Sequence, residues 1–253
     1  MSLALKVEIN LVRSFLTERS KVLKELQLKL RKFRLVFKQH PHKKKIIFGV
    51  LSMLLLLGTT VGTIHYRQRQ FDQQISDLQQ AALAEMSGKT PYKRITGDYS
   101  GNDVEDLRPT NLSIDSNDLI QKYGVGIIRI PTIGLELPIL EGMTQANLSI
   151  GAGTVKPNQR IGRGNFGLLG HYMTNSGLLF GGLRNVSIGD EVEITFYGKT
   201  AMYEVQETRI IHQSEGQYML DNPEDPHYLT LLTCDGSRVG TDYRLMVRAT
   251  ILE

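Results

Sequence analysis

Tryptophan is absent from the 253 residues, and cysteine occurs once, as Cys234. A single cysteine cannot form a disulfide within the chain, so a redox protein that cycles a cysteine pair is excluded. The single cysteine also argues against a structural zinc site, because such sites use several cysteines at short spacing. Two interpretations of the thiol remain. It is either a small buried side chain that packs like an apolar one or a reactive group.

Acidic residues are scarce in residues 1–45, which hold 13 Lys and Arg against 3 Asp and Glu, whereas the rest of the chain holds 17 against 23. A basic arm on a mildly acidic body predicts contact with an anionic surface, either a membrane or a nucleic acid. The arm's apolar residues recur at roughly helical spacing, at Leu11, Phe15, Val22, Leu26, Leu30 and Phe33. The pattern favours membrane lipid over a solvated helix or a disordered tail, and no nucleic-acid motif accompanies it.

Charged residues are also absent from residues 46–64. At a rise of about 1.5 Å per residue this run spans roughly 28 Å as a helix, close to the hydrocarbon thickness of a bilayer. The long charged stretch before it and the poor cleavage site at Gly62 and Thr63 favour an uncleaved anchor over a signal peptide. Lysines at 43–45 precede the run, so we expect a cytoplasmic N-terminus and an extracellular chain after about residue 65.

Residues 65–119 predict an extracellular stalk and linker. In their first part, apolar residues fall at helical offsets, at Phe71, Ile75, Leu78 and Leu83. This spacing predicts a helix over 66–86, either a short coiled coil or a plain spacer. Residues 87–111 are rich in Gly, Ser, Asp, Asn and Pro, which predicts a loop.

Residues 120–253 change to short apolar runs separated by turn residues. The runs are 125–130, 135–140, 166–172, 190–197, 201–211, 228–234 and 243–252. They predict a mainly β domain, closed as a barrel or packed as a sandwich, with a hairpin at Gly198. Pro138 indicates an edge or a bulge in the second run, and 145–149 and 176–183 predict single helical turns.

Reactive side chains stand at the ends of three of these runs. Cys234 ends one, His171 ends another, and Arg244 begins the run that follows Cys234. A nucleophilic thiol needs an acid/base partner and a donor for the developing oxyanion, roles that suit a histidine and an arginine. Spacing alone leaves other side chains open for these roles, namely His65, His212, His227, Arg238 and Arg248.

Acidic residues in or near loops lack the spacing of an EF-hand, so the pattern neither predicts nor excludes calcium. They are Glu204, Glu207, Glu215, Asp221, Glu224 and Asp225. We expect no cofactor, and calcium stimulation has no support in the spacing.

Four stretches resemble the sortase family. TLLTC at 230–234 is similar to the family's TLxTC signature, LGHY surrounds His171 as in its histidine segment, and TDYRLMVRA places Arg244 at its arginine. Residues 128–142 and 148–171 resemble the opening of the sortase domain and its continuation. The resemblance implies an eight-stranded β-barrel with short helices over 120–253.

The resemblance also implies a reaction. Cys234 would attack the Thr–Gly bond of an LPxTG-type sorting signal on a surface protein and form a thioacyl intermediate, which an amine of a lipid II-type wall precursor would release. His171 would be the acid/base and Arg244 the oxyanion partner. Thr233, Leu232 and Leu169 match positions that line the family's substrate groove.

The anchor at the N-terminus, the absence of a second apolar run and the absence of an obvious lid resemble class A. Two alternatives remain. One is a pilus-type sortase that joins pilin subunits through a lysine. The other is a non-catalytic, membrane-tethered β module that binds cell-wall peptides.

Overall fold

The computed structural model describes most of the chain after residue 40 and part of the arm before it. The described residues are 21, 23–29, 31, 41–89, 94–105, 107–108, 114–221, 227–236 and 240–252. Predictions for Leu11, Phe15, Val22, Leu30, Phe33, Glu224, Asp225 and Arg238 lie outside them. The chain divides into two compact units, residues 1–66 and 67–253.

Helix α1 spans Pro41–Ser87 and contains the apolar run at 46–64. It is the one helix among the described residues that is long and apolar enough to cross a bilayer, and its apolar side chains there are exposed. Threonine hydroxyls in this part donate to backbone carbonyls three or four residues earlier, as Thr59 does to Leu56. Each hydroxyl is thereby satisfied within the helix, as an apolar surrounding requires.

The last part of α1 packs on the β domain. Ile75, Ala82 and Met86 are buried. Gln79 donates to the carbonyl of Glu136 at 3.3 Å and accepts from the backbone N–H of Leu179 at 3.1 Å. The helix predicted over 66–86 is therefore present, but its apolar positions contact the chain's own barrel, so this part is not a plain spacer.

Eight strands form a closed barrel in the order β1-β2-β3-β4-β7-β8-β6-β5. Their bounds are β1 Gly124–Ile130, β2 Leu135–Leu140, β3 Ala152–Thr154, β4 Gly164–Leu169, β5 Glu191–Phe196, β6 Lys199–His212, β7 His227–Cys234 and β8 Tyr243–Ile251. The predicted barrel is confirmed. The sequence pattern missed β3, because three residues are too few to show a period.

Short helices connect the strands. They are α2 Ser116–Tyr123, α3 Gln145–Leu148 and the 3-10 turns Pro131–Ile133, Leu179–Asn185 and Gly216–Met219. The turns predicted near 145 and 176–183 thus correspond to α3 and to the second 3-10 turn. Pro138 lies in β2 where β3 pairs only with Ile139 and Leu140, so its missing N–H falls at a strand edge, as predicted.

The barrel interior takes alternate residues of each strand. Phe166 and Leu168 of β4, and Leu229 and Leu231 of β7, are fully buried. Phe166 meets Phe196 edge to face, with ring centroids 4.8 Å apart. Because side chains alternate along a strand, the intervening residues face outward, where a groove can form.

The strand order brings the ends of three strands to one edge of the barrel. β4 and β7 are parallel neighbours, and β8 runs antiparallel beside β7. The C-terminal ends of β4 and β7 therefore lie next to the start of β8. These are the ends at which the sequence carries its reactive side chains.

Candidate active site

Cys234 and Arg244 are direct cross-strand neighbours. Cys234 is the last residue of β7 and pairs with Arg244 in β8. Directly opposed residues hold their Cβ atoms about 4.5–5.5 Å apart. Leu245, the next residue, is buried in the core, so Arg244 points to the outer face, and Cys234 is partly exposed.

His171 follows the end of β4. Leu169 pairs with Leu232 of β7, and the N–H of Gly170 donates to the carbonyl of Leu232 at 3.1 Å. This bond extends the pairing of β4 with β7 by one residue beyond the end of β4. The carbonyl of His171 then accepts from the N–H of Phe180 at 3.0 Å, which fixes the backbone at the histidine.

Gly170 is required by its surroundings. A Cβ placed there would lie 2.6 Å from the Phe180 ring, closer than real contacts allow. The absence of a side chain lets the chain pass the ring and bring His171 toward β7.

One cavity of about 490 Å³ collects the reactive side chains. His171, Cys234 and Arg244 all line it, together with Leu169. His171 is only 9% exposed, so its ring is largely shielded from bulk water. The structure therefore brings together the three residues that the sequence singled out, in a groove large enough for part of a peptide.

Arg244 is held by uncharged acceptors. Its Nη1 donates to the carbonyls of Thr241 and Tyr243, and its Nη2 donates to Gln213 Oε1 at 3.1 Å. A guanidinium has five N–H donors, and these bonds use three. No described carboxylate lies within ion-pair distance of Arg244, so its charge is available to a developing oxyanion.

The other predicted groove residues are placed differently. Leu232 shares the outer face of β7 with Cys234 by strand alternation. Thr233 faces the opposite side and is fully buried, and it does not line the cavity.

Neither of the alternative histidines in the β domain lines this cavity. His212 Nδ1 is 2.7 Å from Ser214 Oγ, and His227 Nδ1 is 2.8 Å from the carbonyl of Gly162. His65 lies in α1. Of the alternative arginines, Arg248 stacks over the rings of Tyr218 and Tyr228 instead of reaching the cavity.

Sequence reasoning missed Arg184, which connects the two loops that carry His171 and Cys234. Its Nη2 lies 2.9 Å from Oδ1 of Asp235, the residue after Cys234. Its guanidinium carbon stands 5.2 Å from the ring centroid of Tyr172, the residue after His171. Arg184 comes from the Leu179–Asn185 turn, and nothing in its local sequence spacing signals this contact.

A cover segment, which we define as the described part of residues 94–108, was also missed. Val104, Glu105 and Arg108 line the cavity beside Cys234. The sequence predicts a loop here and shows no obvious lid. Its contribution to the groove depends on contacts with distant residues and leaves no periodic signal.

Hydrogen bonds fasten the cover segment to the barrel. Tyr99 Oη donates to Glu141 Oε1 at 2.7 Å, and the N–H of Met143 donates to the carbonyl of Asp98 at 2.8 Å. Closer to the groove, the N–H of Glu105 donates to Gln145 Oε1 at 2.9 Å. The segment is thus attached along its length.

Glu141 is the centre of this attachment. It is only 2% exposed, and it accepts from Tyr99, from Tyr197 Oη at 3.1 Å and from Thr154 Oγ1 at 3.2 Å. Burial and the hydrogen bond to Glu141 raise the pKa of Tyr99 well above its usual range. Burial and the nearby Glu141 charge raise the pKa of Tyr197 to about 12. Both phenols therefore stay protonated and keep donating to the buried carboxylate.

Metal ligands do not gather in the described ranges, where no group of three His, Cys, Asp or Glu side chains is placed to hold an ion. The groove's own chemistry is that of a thiol, an imidazole and a guanidinium.

Comparison with known proteins identifies the family to which the chain belongs. The sortase domain model matches residues 128–252. Sortase A of Bacillus anthracis is 28% identical over 193 residues, which cover 76% of this chain and 88% of that protein. A Bacillus subtilis protein named as a sortase, YwpE, is 31% identical over 99 residues, which cover 39% of this chain and 94% of that protein.

Among solved structures, sortase A of Listeria monocytogenes matches with 31% identity and a TM-score of 0.49, covering 52% of this chain and 88% of its own. The residues that the sortase domain model matches include the end of β1, all of β2 to β8, and His171, Cys234 and Arg244. The chain belongs to the sortase family of cysteine transpeptidases.

Proposed function

We propose that this sortase cleaves an LPxTG-type sorting signal between Thr and Gly and transfers the protein to an amine of a lipid II-type cell-wall precursor. The observation that carries the proposal is the convergence of Cys234, His171 and Arg244 on one groove from three neighbouring strand ends. A groove with only the thiol would support binding but not turnover.

Acylation needs all three groups. The Cys234 sulfur attacks the Thr carbonyl carbon, a C–S bond forms, and the carbonyl electron pair moves to oxygen. Arg244 donates to that oxyanion. His171 accepts the thiol proton as the sulfur attacks and gives it to the Gly nitrogen as the carbonyl re-forms and the C–N bond breaks, which leaves a thioacyl-enzyme and a free amine.

Transfer reverses these roles. The precursor amine attacks the thioacyl carbon, His171 takes a proton from the attacking nitrogen, and the C–S bond breaks with the electron pair returning to sulfur. The product holds a new amide in place of the old one. Leu169 on the groove wall and Leu232 on the same face as Cys234 would contact the signal's apolar residues. Thr233, fully buried, would affect them only through the strand.

The proposed setting is the outer face of the cell membrane. Residues 46–64 of α1 would be a single-pass anchor, with residues 1–45 cytoplasmic on anionic lipid and the barrel extracellular. A class A-like general anchoring role fits this arrangement and leaves the reaction without a cofactor.

Mass spectrometry of the full-length chain in detergent tests the reaction. Incubation with an LPxTG peptide should add the acyl fragment to Cys234, and a wall-peptide amine should then remove it as a transpeptidation product. Cys234→Ala should abolish the adduct. Arg244→Lys keeps the charge but loses the planar donor fork, and should slow acylation by about a hundredfold.

The same assay separates the alternatives. A binding module would retain the peptide without an adduct, and Cys234→Ala would bind it equally well. A pilus-type sortase would transfer the acyl group to a pilin lysine in preference to the wall-peptide amine. Either result would contradict the proposed anchoring function.

A further inference from the structure

A second cavity, of about 250 Å³, lies at the other end of β4 from His171. It opens beside the residues that precede β4 and the turn between β5 and β6. Four cationic side chains line it, and we name it the basic cavity: Arg94, Arg160, Arg163 and Lys199. It shares no lining residue with the groove that contains Cys234.

The charge of the basic cavity opposes that of its surroundings. The chain after residue 45 is acidic overall, with 17 Lys and Arg against 23 Asp and Glu. Elsewhere on the barrel, several basic side chains pair with carboxylates, as Arg129 does with Glu136 and Glu193, and Lys156 with Asp221. None of the four cavity cations lies within ion-pair distance of a described carboxylate. Clustered like charges repel one another, and a bound anion offsets that repulsion.

The turn that carries Arg160 and Arg163 is fixed to the barrel. The N–H of Arg163 donates to the carbonyl of Arg160 at 3.2 Å, which closes the turn. Between them, the N–H of Gly162 donates to Tyr203 Oη at 2.9 Å, and its carbonyl lies 2.8 Å from His227 Nδ1. The two arginines are therefore presented from a held backbone.

Arg94 is fixed on the opposite wall. Its guanidinium carbon stands 5.5 Å from the ring centroid of Tyr197. The next residue, Ile95, donates its N–H to Tyr197 Oη at 3.0 Å. Tyr197 in turn begins the β5–β6 turn, which leads directly into Lys199 at the start of β6. The cations thus come from three chain segments that converge on one space.

Three arginines and one lysine around one space fit a phosphate group better than a carboxylate. The two N–H groups of a guanidinium fork can bind two phosphate oxygens at once. A phosphate also has more oxygens than a carboxylate, so it can accept from several donors. The cavity's volume far exceeds the roughly 10–15 Å³ that one water requires. We propose that the basic cavity binds a phosphodiester or pyrophosphate group, at a site separate from the transpeptidation groove.

Calorimetric titration of the full-length chain in neutral detergent micelles tests this with inorganic pyrophosphate. We expect saturable binding that weakens at least tenfold in Arg160→Gln/Arg163→Gln. The matched control, Lys122→Gln/Arg209→Gln, removes two exposed cations outside the cavity and should change the affinity less than twofold. Absence of saturable binding, or equal weakening in both double variants, would overturn the proposal.

Folding is checked on the same samples. Both double variants should keep the parent's melting temperature and its transpeptidation rate, because neither touches the groove. If the first variant fails to fold, Arg94→Gln/Lys199→Gln removes the charge from the other walls and must weaken pyrophosphate binding to the same degree, or the proposal fails.

Hydrogen exchange in lipid nanodiscs distinguishes the source of the phosphate. Slower exchange at residues 160–163 in discs with phosphatidylglycerol than with phosphatidylcholine alone would identify a lipid headgroup. Slower exchange only after pyrophosphate is added would identify a soluble or polymer-borne phosphate. No slowing under either condition would contradict binding at this cavity.

Discussion

At the scale of single residues, the trio depends on neighbours that do no chemistry. The residues directly after His171 and Cys234, Tyr172 and Asp235, both contact Arg184. One side chain therefore couples the two loops that set the distance between the imidazole and the sulfur. Small displacements of reacting groups slow an enzyme strongly, so we regard Arg184 as a positioning residue.

Arg184→Gln should lower kcat for transpeptidation about tenfold with little change in KM, because the substrate contacts stay while the alignment of the reacting groups loosens. Arg184→Lys keeps the ion pair with Asp235 and should recover part of the loss. The pH profile of kcat/KM should shift in the Gln variant. Arg209→Gln, an exposed arginine outside the groove, serves as the control, and an equal loss there would contradict the assignment.

Gly170→Ala should reduce kcat/KM by tenfold or more and lower the free energy of unfolding by about 1–3 kcal/mol. The added methyl would meet the Phe180 ring at 2.6 Å and push the backbone at His171. Gly177→Ala is the matched control, since its Cβ would find its nearest neighbour at 3.5 Å. Activity assays and chemical denaturation measure both effects, and an active, stable Gly170→Ala enzyme would refute the steric account.

At the scale of elements, the cover segment turns a strand-edge cleft into a groove with two walls. Its bonds run to Glu141, Met143 and Gln145, just after β2. The segment's conformation therefore depends on that loop, although the two are about forty residues apart in the chain. Hydrogen bonds of this kind can break without disturbing the barrel core, so this segment should open more readily than the strands.

Tyr99→Phe should release this attachment in part. Removing the hydroxyl takes the shortest side-chain hydrogen bond from the buried Glu141 carboxylate, and a hydrogen bond to a charged group contributes about 1.5–3 kcal/mol. We expect faster hydrogen exchange at residues 97–105 and a lower melting temperature. Tyr123→Phe, whose hydroxyl bonds to no described residue, should change neither. Unaltered exchange in Tyr99→Phe would show that the segment is held by other contacts.

Local pattern predicts some elements and misses others for physical reasons. The placement of His171, Cys234 and Arg244 at strand ends was predictable because each stands where an apolar run meets a turn. Spacing alone left other histidines and arginines open, and the resemblance to sortases selected these three. β3 is too short to show alternation. Arg184 and the cover segment act through contacts between distant residues. The sequence of α1 shows which of its positions are apolar, but it does not show which part of the chain packs on Ile75. The basic cavity brings together Arg94 and Lys199, which are 105 positions apart in the chain, and local sequence pattern does not report such a contact.

At the scale of the whole molecule, the stability of the fold should depend on pH through the ionisation of Asp221. Its Oδ1 accepts from Lys156 Nζ at 2.7 Å and from the N–H of Asn165, at the start of β4, at 2.8 Å. The bond to Lys156, followed by the bond to Asn165, lowers the pKa of Asp221. A carboxyl whose pKa is lowered in the folded state stabilises that state above its unfolded pKa, near pH 3.9, and loses the contribution as pH falls further.

Asp221→Asn should therefore melt at a lower temperature than the parent at pH 6, and the gap should narrow as pH is lowered below about 4. The effect should be modest because the side chain is 62% exposed. Asp242→Asn, an acidic residue with no resolved ion pair, provides the comparison. A gap that is independent of pH would show that charge on Asp221 does not contribute.

The ladder between β7 and β8 has a consequence for how such an enzyme can diversify. Seven consecutive pairs, from Tyr228 with Thr250 to Cys234 with Arg244, fix the proposed nucleophile beside its proposed oxyanion donor. The bond from Arg244 to the Thr241 carbonyl holds the guanidinium, but the backbone pairing of the two residues does not depend on the rest of the connecting loop. Changes to the length or sequence of the loop should alter which amines can enter the groove without disturbing the pairing of Cys234 with Arg244. Acceptor preference and turnover rate can therefore vary independently.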